Sequence, residues 1–78
     1  MEELNNKVLA LFRDSKDETL DLHQLFEAGG NEPEARTRVL DVVERLVQQG
    51  LLEERGSDFY ALTPKGKAAA QTVRDSRN

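Results

Sequence analysis

The pattern of this sequence changes within one stretch, Val42-Val43-Glu44-Arg45-Leu46-Val47-Gln48-Gln49-Gly50-Leu51-Leu52. Up to Leu46 the apolar residues keep the spacing of a helix face, and two leucines follow the glycine directly. Glycine at position 50 can adopt the left-handed conformation that lets a chain leave a helix. The stretch therefore predicts a helix that ends at a corner and continues as a strand.

Upstream of this corner, the apolar face of the helix extends for more than three turns. Its members are Ala35, Val39, Val42, Val43 and Leu46. Asn31 is a suitable N-cap, Pro33 is tolerated in the first turn, and Glu34 suits the positive end of the helix dipole. These signals predict a helix over about residues 33–49.

Two further helices are predicted before this one. Leu4, Val8, Leu11 and Phe12 form the apolar stripe of a helix over about 2–15, and Leu9 either widens that stripe or is exposed. A short helix over about 21–28 begins at the N-cap Asp21 and stops at the glycine pair 29–30.

After the corner, the sequence favours a β-hairpin followed by a last helix. The hairpin covers about 51–62 and turns at Gly56-Ser57. Period-two alternation directs Tyr60 and Leu62 inward and places Phe59 and Ala61 on the other face. The pair Thr63-Pro64 opens a helix over about 64–73, and residues 74–78 are predicted to fray.

Residues 1–78 are thus interpreted as one domain in the order helix-helix-helix-strand-strand-helix, mainly α with a small β-hairpin (α+β). The stretch 42–52, together with Tyr60-Ala61-Leu62-Thr63-Pro64-Lys65-Gly66, resembles a passage of winged helix-turn-helix transcriptional regulators of the bacterial MarR and PadR kind. The resemblance covers about residues 20–70. It implies regulation of transcription by binding double-stranded DNA, with helix 33–49 as the recognition helix and hairpin 51–62 as the wing.

On such a helix, Thr37, Arg38 and Arg45 point away from the core and are the candidate DNA contacts, with Arg36 in support. Arg55 is the candidate contact on the wing. An alternative stays open for the helix face. Because Glu34 precedes Arg38 by four residues and Asp41 precedes Arg45 by four, both arginines are predicted to have an acidic partner on a solvated, self-paired surface.

The charge balance leaves a second function open. Eleven Lys and Arg against fifteen Asp and Glu give a net charge of −4, which excludes DNA binding by overall electrostatic attraction. The alternative is a winged-helix module that binds a partner protein without binding DNA. Its contact would be an apolar patch near Leu9 and Phe59, or an acidic face made of Glu27, Glu32, Glu34, Asp41 and Glu44.

Other classes find little support. The chain has no cysteine and one histidine, His23, and its five glycines are scattered over separate turns. We therefore expect no enzyme activity, no cofactor and no metal site. No apolar run is long enough to cross a bilayer, and the acidic start at Glu2-Glu3 is unlike a secretory signal, so a cytoplasmic location is expected.

Two properties are less constrained by the sequence. A domain of this size is expected to have little volume for a ligand pocket beside its core. The oligomeric state is open between a monomer and a homodimer, because the sequence lacks the long terminal helices by which this group of regulators typically dimerises.

Overall fold

The structure, a computed structural model, describes residues 2–73. This part of the chain is mixed α+β, with four helices and one three-stranded antiparallel sheet of strand order β1-β3-β2. The elements in chain order are α1 (Glu2–Asp14), β1 (Thr19–Asp21), α2 (Leu22–Gly29), α3 (Pro33–Gln48), β2 (Leu52–Glu54), β3 (Phe59–Leu62) and α4 (Pro64–Gln71). The predicted fraying of residues 74–78 lies outside the described residues.

Strand β1 corrects the predicted order, which had no strand between the first two helices. It pairs antiparallel with β3 and aligns Thr19 with Ala61 and Leu20 with Tyr60. Three residues are too few for a detectable alternation, so this strand depends on its partner and not on its own sequence. The hairpin is consequently part of a larger sheet in which β3 is the central strand.

The burial of β3 differs in part from the prediction. Tyr60 and Leu62 pack against the core as expected, and Phe59 is 43% exposed. Ala61, expected on the open face with Phe59, is only 2% exposed. As a residue of the central strand it is flanked on both sides, by Thr19 of β1 and by Glu53 of β2.

The start of α2 follows its sequence signal, whereas the start of α3 does not. Asp21 accepts a hydrogen bond from the backbone of Gln24 at 2.8 Å, and the Gln24 side chain accepts one from the backbone of Asp21 at 3.0 Å. This is a complete capping box. The N-cap of α3 is Glu32 and not Asn31, and no side chain caps it. Proline at position 33 already removes one of the amides that a cap would satisfy.

The core joins the four helices and the sheet. Its buried members are Val8, Leu9, Phe12, Leu20, Leu25, Val39, Val42, Val43, Leu46, Leu52 and Ala70. Leu9 is only 5% exposed, because α1 packs against α4 as well as against α2 and α3. Leu9 therefore widens the buried stripe of α1. The apolar patch predicted near Leu9 and Phe59 is wrong for Leu9, which is buried, whereas Phe59 is exposed.

Arg13, at the end of α1, binds the end of α4. Its Nη1 donates to the carbonyl oxygens of Ala70 at 2.9 Å and Val73 at 2.6 Å, and its Nε lies 2.9 Å from Oδ1 of Asp14. The last carbonyls of a helix lack intrahelical partners, and a guanidinium can satisfy two of them. The contact links two elements far apart in the sequence.

The corner after α3 has the predicted conformation, with φ of +78° at Gly50. The hydroxyl of Thr63 donates to the carbonyl of Gly50 at 2.6 Å and accepts from the amide of Gly66 at 2.9 Å. The Lys65 ammonium donates to the carbonyl of Gln49 at 3.2 Å. The start of α4 thereby fixes the end of α3 and the direction of the hairpin.

Candidate nucleic-acid interface

The outer face of α3 is exposed, as its periodicity predicts. Val39, Val42 and Leu46 are buried on the opposite side. The exposed side chains along the helix include Arg36, Thr37, Arg38, Leu40, Asp41, Glu44, Arg45 and Gln48. The structure therefore brings four of the five candidate DNA contacts onto one helix, interspersed with carboxylates.

Arg38 and Arg45 do not have the acidic partners that the self-paired alternative predicts. Neither forms an ion pair with any described carboxylate, so the expected Glu34–Arg38 and Asp41–Arg45 pairs are wrong. An exposed i,i+4 pair gains only about 0.2–0.5 kcal/mol, and this gain is opposed by the entropy of fixing two long side chains. Both guanidinium groups are consequently available to a ligand on this face.

The other two candidates on α3 have contacts within the molecule. The Arg36 guanidinium lies 5.3 Å from the centre of the Phe26 ring, an attractive cation–π distance. The Thr37 hydroxyl donates to the carbonyl of Pro33 at 3.0 Å. Arg36 therefore packs on Phe26 of α2, a contact that the sequence pattern does not predict. The Thr37 hydroxyl has used its one hydrogen, so its oxygen can only accept a hydrogen bond from another group.

Arg55, the candidate on the hairpin, is held by its neighbour. Its Nε and Nη2 donate to Oε2 of Glu53 at 3.0 and 2.8 Å. Glu53 lies in β2 and Arg55 directly follows the end of this strand. The pairing reduces the positive charge that the hairpin presents.

Tyr60, in β3, is influenced by acidic residues of both α3 and the hairpin. Burial raises the pKa of Tyr60 above its ordinary value, and the negative charges of Glu54, Asp58 and Glu44 raise it further. Glu44 belongs to α3 and the other two belong to the hairpin, so acidic groups of both elements act on this tyrosine. The region disfavours a phosphate and favours a cationic group.

The residues of the predicted acidic face are all exposed: Glu27, Glu32, Glu34, Asp41 and Glu44. Glu27 lies 3.7 Å from Nε2 of His23, one turn earlier on α2. Their exposure agrees with the acidic face of the alternative function. That this face binds a partner protein stays a prediction.

A groove of about 480 Å³ lies on the other side of the sheet, bounded by the end of α1, the α1–β1 loop, the hairpin and α4. The expectation of little pocket volume is thus wrong.

Among residues 2–73, no group of three or more His, Asp and Glu side chains is arranged to hold a metal ion. No helix in the described range has both the length and the apolar character that crossing a membrane requires. Comparison with known proteins found no match to a family model, to a curated sequence or to a solved structure.

Proposed function

We propose that the chain is a winged helix-turn-helix domain that binds double-stranded DNA and regulates transcription in the cytoplasm. In this proposal α3 enters the major groove and the β2–β3 hairpin is the wing beside it. Support comes from the order of the elements, in which α2 and α3 precede a hairpin that is paired to a strand before α2. The sequence resemblance to regulators of the MarR and PadR kind supports the same reading.

The observation that carries the proposal is the state of Arg38 and Arg45. Both are exposed on the outer face of α3 and neither is paired with a described carboxylate. A guanidinium on a groove-facing helix can bind a guanine edge with two hydrogen bonds or neutralise a phosphate. Arg36 and Thr37, which directly precede Arg38 in the sequence, would extend this contact toward the start of the helix.

The acidic surroundings bear on the affinity. With Asp41 and Glu44 on the same face and Arg55 held by Glu53, one copy offers few uncompensated cations to DNA. Two copies on adjacent half-sites would double the contacts without changing the domain. We therefore propose that the DNA-bound form is a homodimer.

The test is a fluorescence anisotropy titration of the protein into labelled duplex DNA at low and at physiological salt, with the molar mass measured in parallel. The test variant carries Arg38→Ala and Arg45→Ala. Lys7→Ala is the matched control, because it removes an exposed cation from α1 and leaves α3 unchanged.

Binding that weakens with salt and is lost in the double variant but kept in the control supports the proposal, since each lost phosphate contact reduces the salt dependence. Absence of binding at low salt contradicts it. Equal binding by the double variant contradicts the assignment of α3 as the recognition helix.

A second candidate is a winged-helix module that binds a basic surface of another protein. The carboxylates of Glu44, Glu54 and Asp58 around Tyr60 favour it, as does the neutralisation of Arg55 by Glu53. Complementary charge would then supply specificity and speed of association. The test is affinity capture with the native chain and with an Asp41→Lys, Glu44→Lys variant. A partner retained equally by both contradicts the acidic contact.

A further inference from the structure

Leu40 is an apolar side chain among the exposed polar residues of α3. It is 42% exposed, and among residues 2–73 the one other large apolar side chain that is as open to solvent is Phe59 in β3. The helix buries five other apolar side chains on its opposite side. Leu40 therefore leaves apolar surface in water on the helix that the proposed function assigns to DNA.

Thr37 is the exposed neighbour of Leu40 one turn earlier on the helix. Its hydroxyl donates its one hydrogen to the carbonyl oxygen of Pro33 at 3.0 Å, so the oxygen can only accept a further hydrogen bond. Residues three apart on a helix have Cβ atoms about 5–6 Å from each other. The helix thus presents a hydrogen-bond acceptor beside an apolar group.

The base pairs differ in how well their major-groove edges match these two groups. An A·T pair presents the adenine amino group, which is a donor, and the thymine methyl group, which is apolar. A G·C pair presents the cytosine amino group but no methyl group, and its guanine edge presents acceptors, which an acceptor-only hydroxyl cannot bind. The combination of an acceptor and an apolar side chain therefore matches A·T and not G·C.

We propose that Thr37 and Leu40 select A·T base pairs, an inference that rests on the proposed binding of DNA by α3. The Thr37 oxygen accepts a hydrogen bond from the adenine amino group, and Leu40 packs on the thymine methyl group. Polar neighbours on α3 limit the apolar surface to this one side chain, which suits a single methyl group and is too small for the apolar centre of a protein interface. Arg38 and Arg45 then supply the contacts to phosphates or guanine.

The test begins with selection of the preferred duplex from a random-sequence DNA pool by the native protein. Binding of that duplex is then measured by fluorescence anisotropy with thymine or with uracil at each selected thymine position. Because uracil differs from thymine only by the missing methyl group, a contacted position should bind about fourfold more weakly with uracil, which corresponds to about 0.8 kcal/mol for one buried methyl group. Exchange of the same pair for G·C should weaken binding further.

Three variants assign the effect to its residues. Leu40→Ala should remove the difference between thymine and uracil, whereas Phe59→Ala, which removes an equally exposed apolar side chain from β3, should keep it. Thr37→Val keeps the shape of the side chain and removes the acceptor. It should reduce the preference for A·T over G·C about fivefold, which corresponds to a hydrogen bond of about 1 kcal/mol. Circular dichroism verifies that each variant is folded.

The outcomes separate base selection from DNA binding itself. Salt-dependent binding without an enriched A·T pair overturns the selection and leaves DNA binding by the chain in place. The same holds for binding without a uracil effect, for an equal uracil effect in Leu40→Ala, and for an unchanged A·T preference in Thr37→Val. Absence of binding to any duplex at low salt overturns both proposals.

Discussion

Gly66, in the first turn of α4, lies directly against the carbonyl group of Leu51. A Cβ atom at position 66 would come within 2.8 Å of the Leu51 carbonyl carbon and closer still to its oxygen. The same oxygen accepts a hydrogen bond from the amide of Thr63 at 3.1 Å. Contact between the two backbones is therefore what joins α4 to the corner that follows α3.

Replacing Gly66 by alanine should destabilise the protein. Helix propensity alone favours alanine by about 0.5–1 kcal/mol, but the overlap with Leu51 should cost about 1–3 kcal/mol or more, as overpacking does elsewhere. The measurement is urea unfolding followed by circular dichroism. Gly50→Ala is the comparison, because position 50 has a positive φ and no neighbour near its Cβ position, so it should lose only about 1 kcal/mol. A Gly66→Ala protein as stable as the native one would contradict the close approach.

Replacing Arg13 by alanine should loosen α4. The change leaves the carbonyls of Ala70 and Val73 without the guanidinium, and hydrogen bonds to a charged group are worth about 1.5–3 kcal/mol. Unfolding in urea should show a loss of this order, and hydrogen exchange should accelerate first at the end of α4. Arg38→Ala, an exposed change on α3, should remain within about 0.5 kcal/mol of the native chain. Equal effects of both substitutions would argue against the Arg13 contact.

The capping of α2 and α3 gives a paired prediction. Asp21→Ala removes a side chain that completes a capping box, and the expected loss is about 0.5–2 kcal/mol in the free energy of unfolding. Asn31→Ala should have little effect, because Asn31 does not cap α3. A larger loss from Asn31→Ala than from Asp21→Ala, measured by thermal or urea unfolding, would reverse the structural assignment of the two caps.

The ionisation of Tyr60 should occur above the ordinary tyrosine pKa of about 10. It is the one tyrosine of the chain, so the ultraviolet absorbance of tyrosinate reports on it alone. Glu54→Gln and Glu44→Gln should each lower the midpoint of the tyrosine titration. Glu3→Gln, at an exposed position of α1, should leave this midpoint unchanged. An unchanged midpoint in all three variants would contradict the proximity of these carboxylates.

The same shift predicts how stability depends on pH. Because the folded-state pKa of Tyr60 is raised, its contribution to stability is fully present below the unfolded pKa of about 10 and is lost as the pH rises through the folded pKa. Tyr60→Phe should remove this part of the alkaline loss. The measurement is the urea unfolding midpoint of the native and Tyr60→Phe proteins below and above pH 10. An equal loss of stability in the two proteins at high pH would exclude Tyr60 as the source of that loss.

The candidate site was predictable where its determinants are local. The outward positions of Arg38 and Arg45 follow from the periodicity of α3. The stacking of Arg36 on Phe26 was not predictable, because it depends on how α2 packs against α3. The groove also required the structure, since its walls come from four separate segments of the chain.

The sequence by itself determined the helices, the cap of α2 and the left-handed corner at Gly50, because periodicity, capping and positive φ depend on residues a few positions apart. The tertiary structure decided that Thr19–Asp21 is a strand, that Leu9 is buried, and that Gly66 contacts Leu51. Each of these features depends on a partner distant in the sequence. The energy that fixes them comes from packing and pairing between elements, which no local pattern encodes.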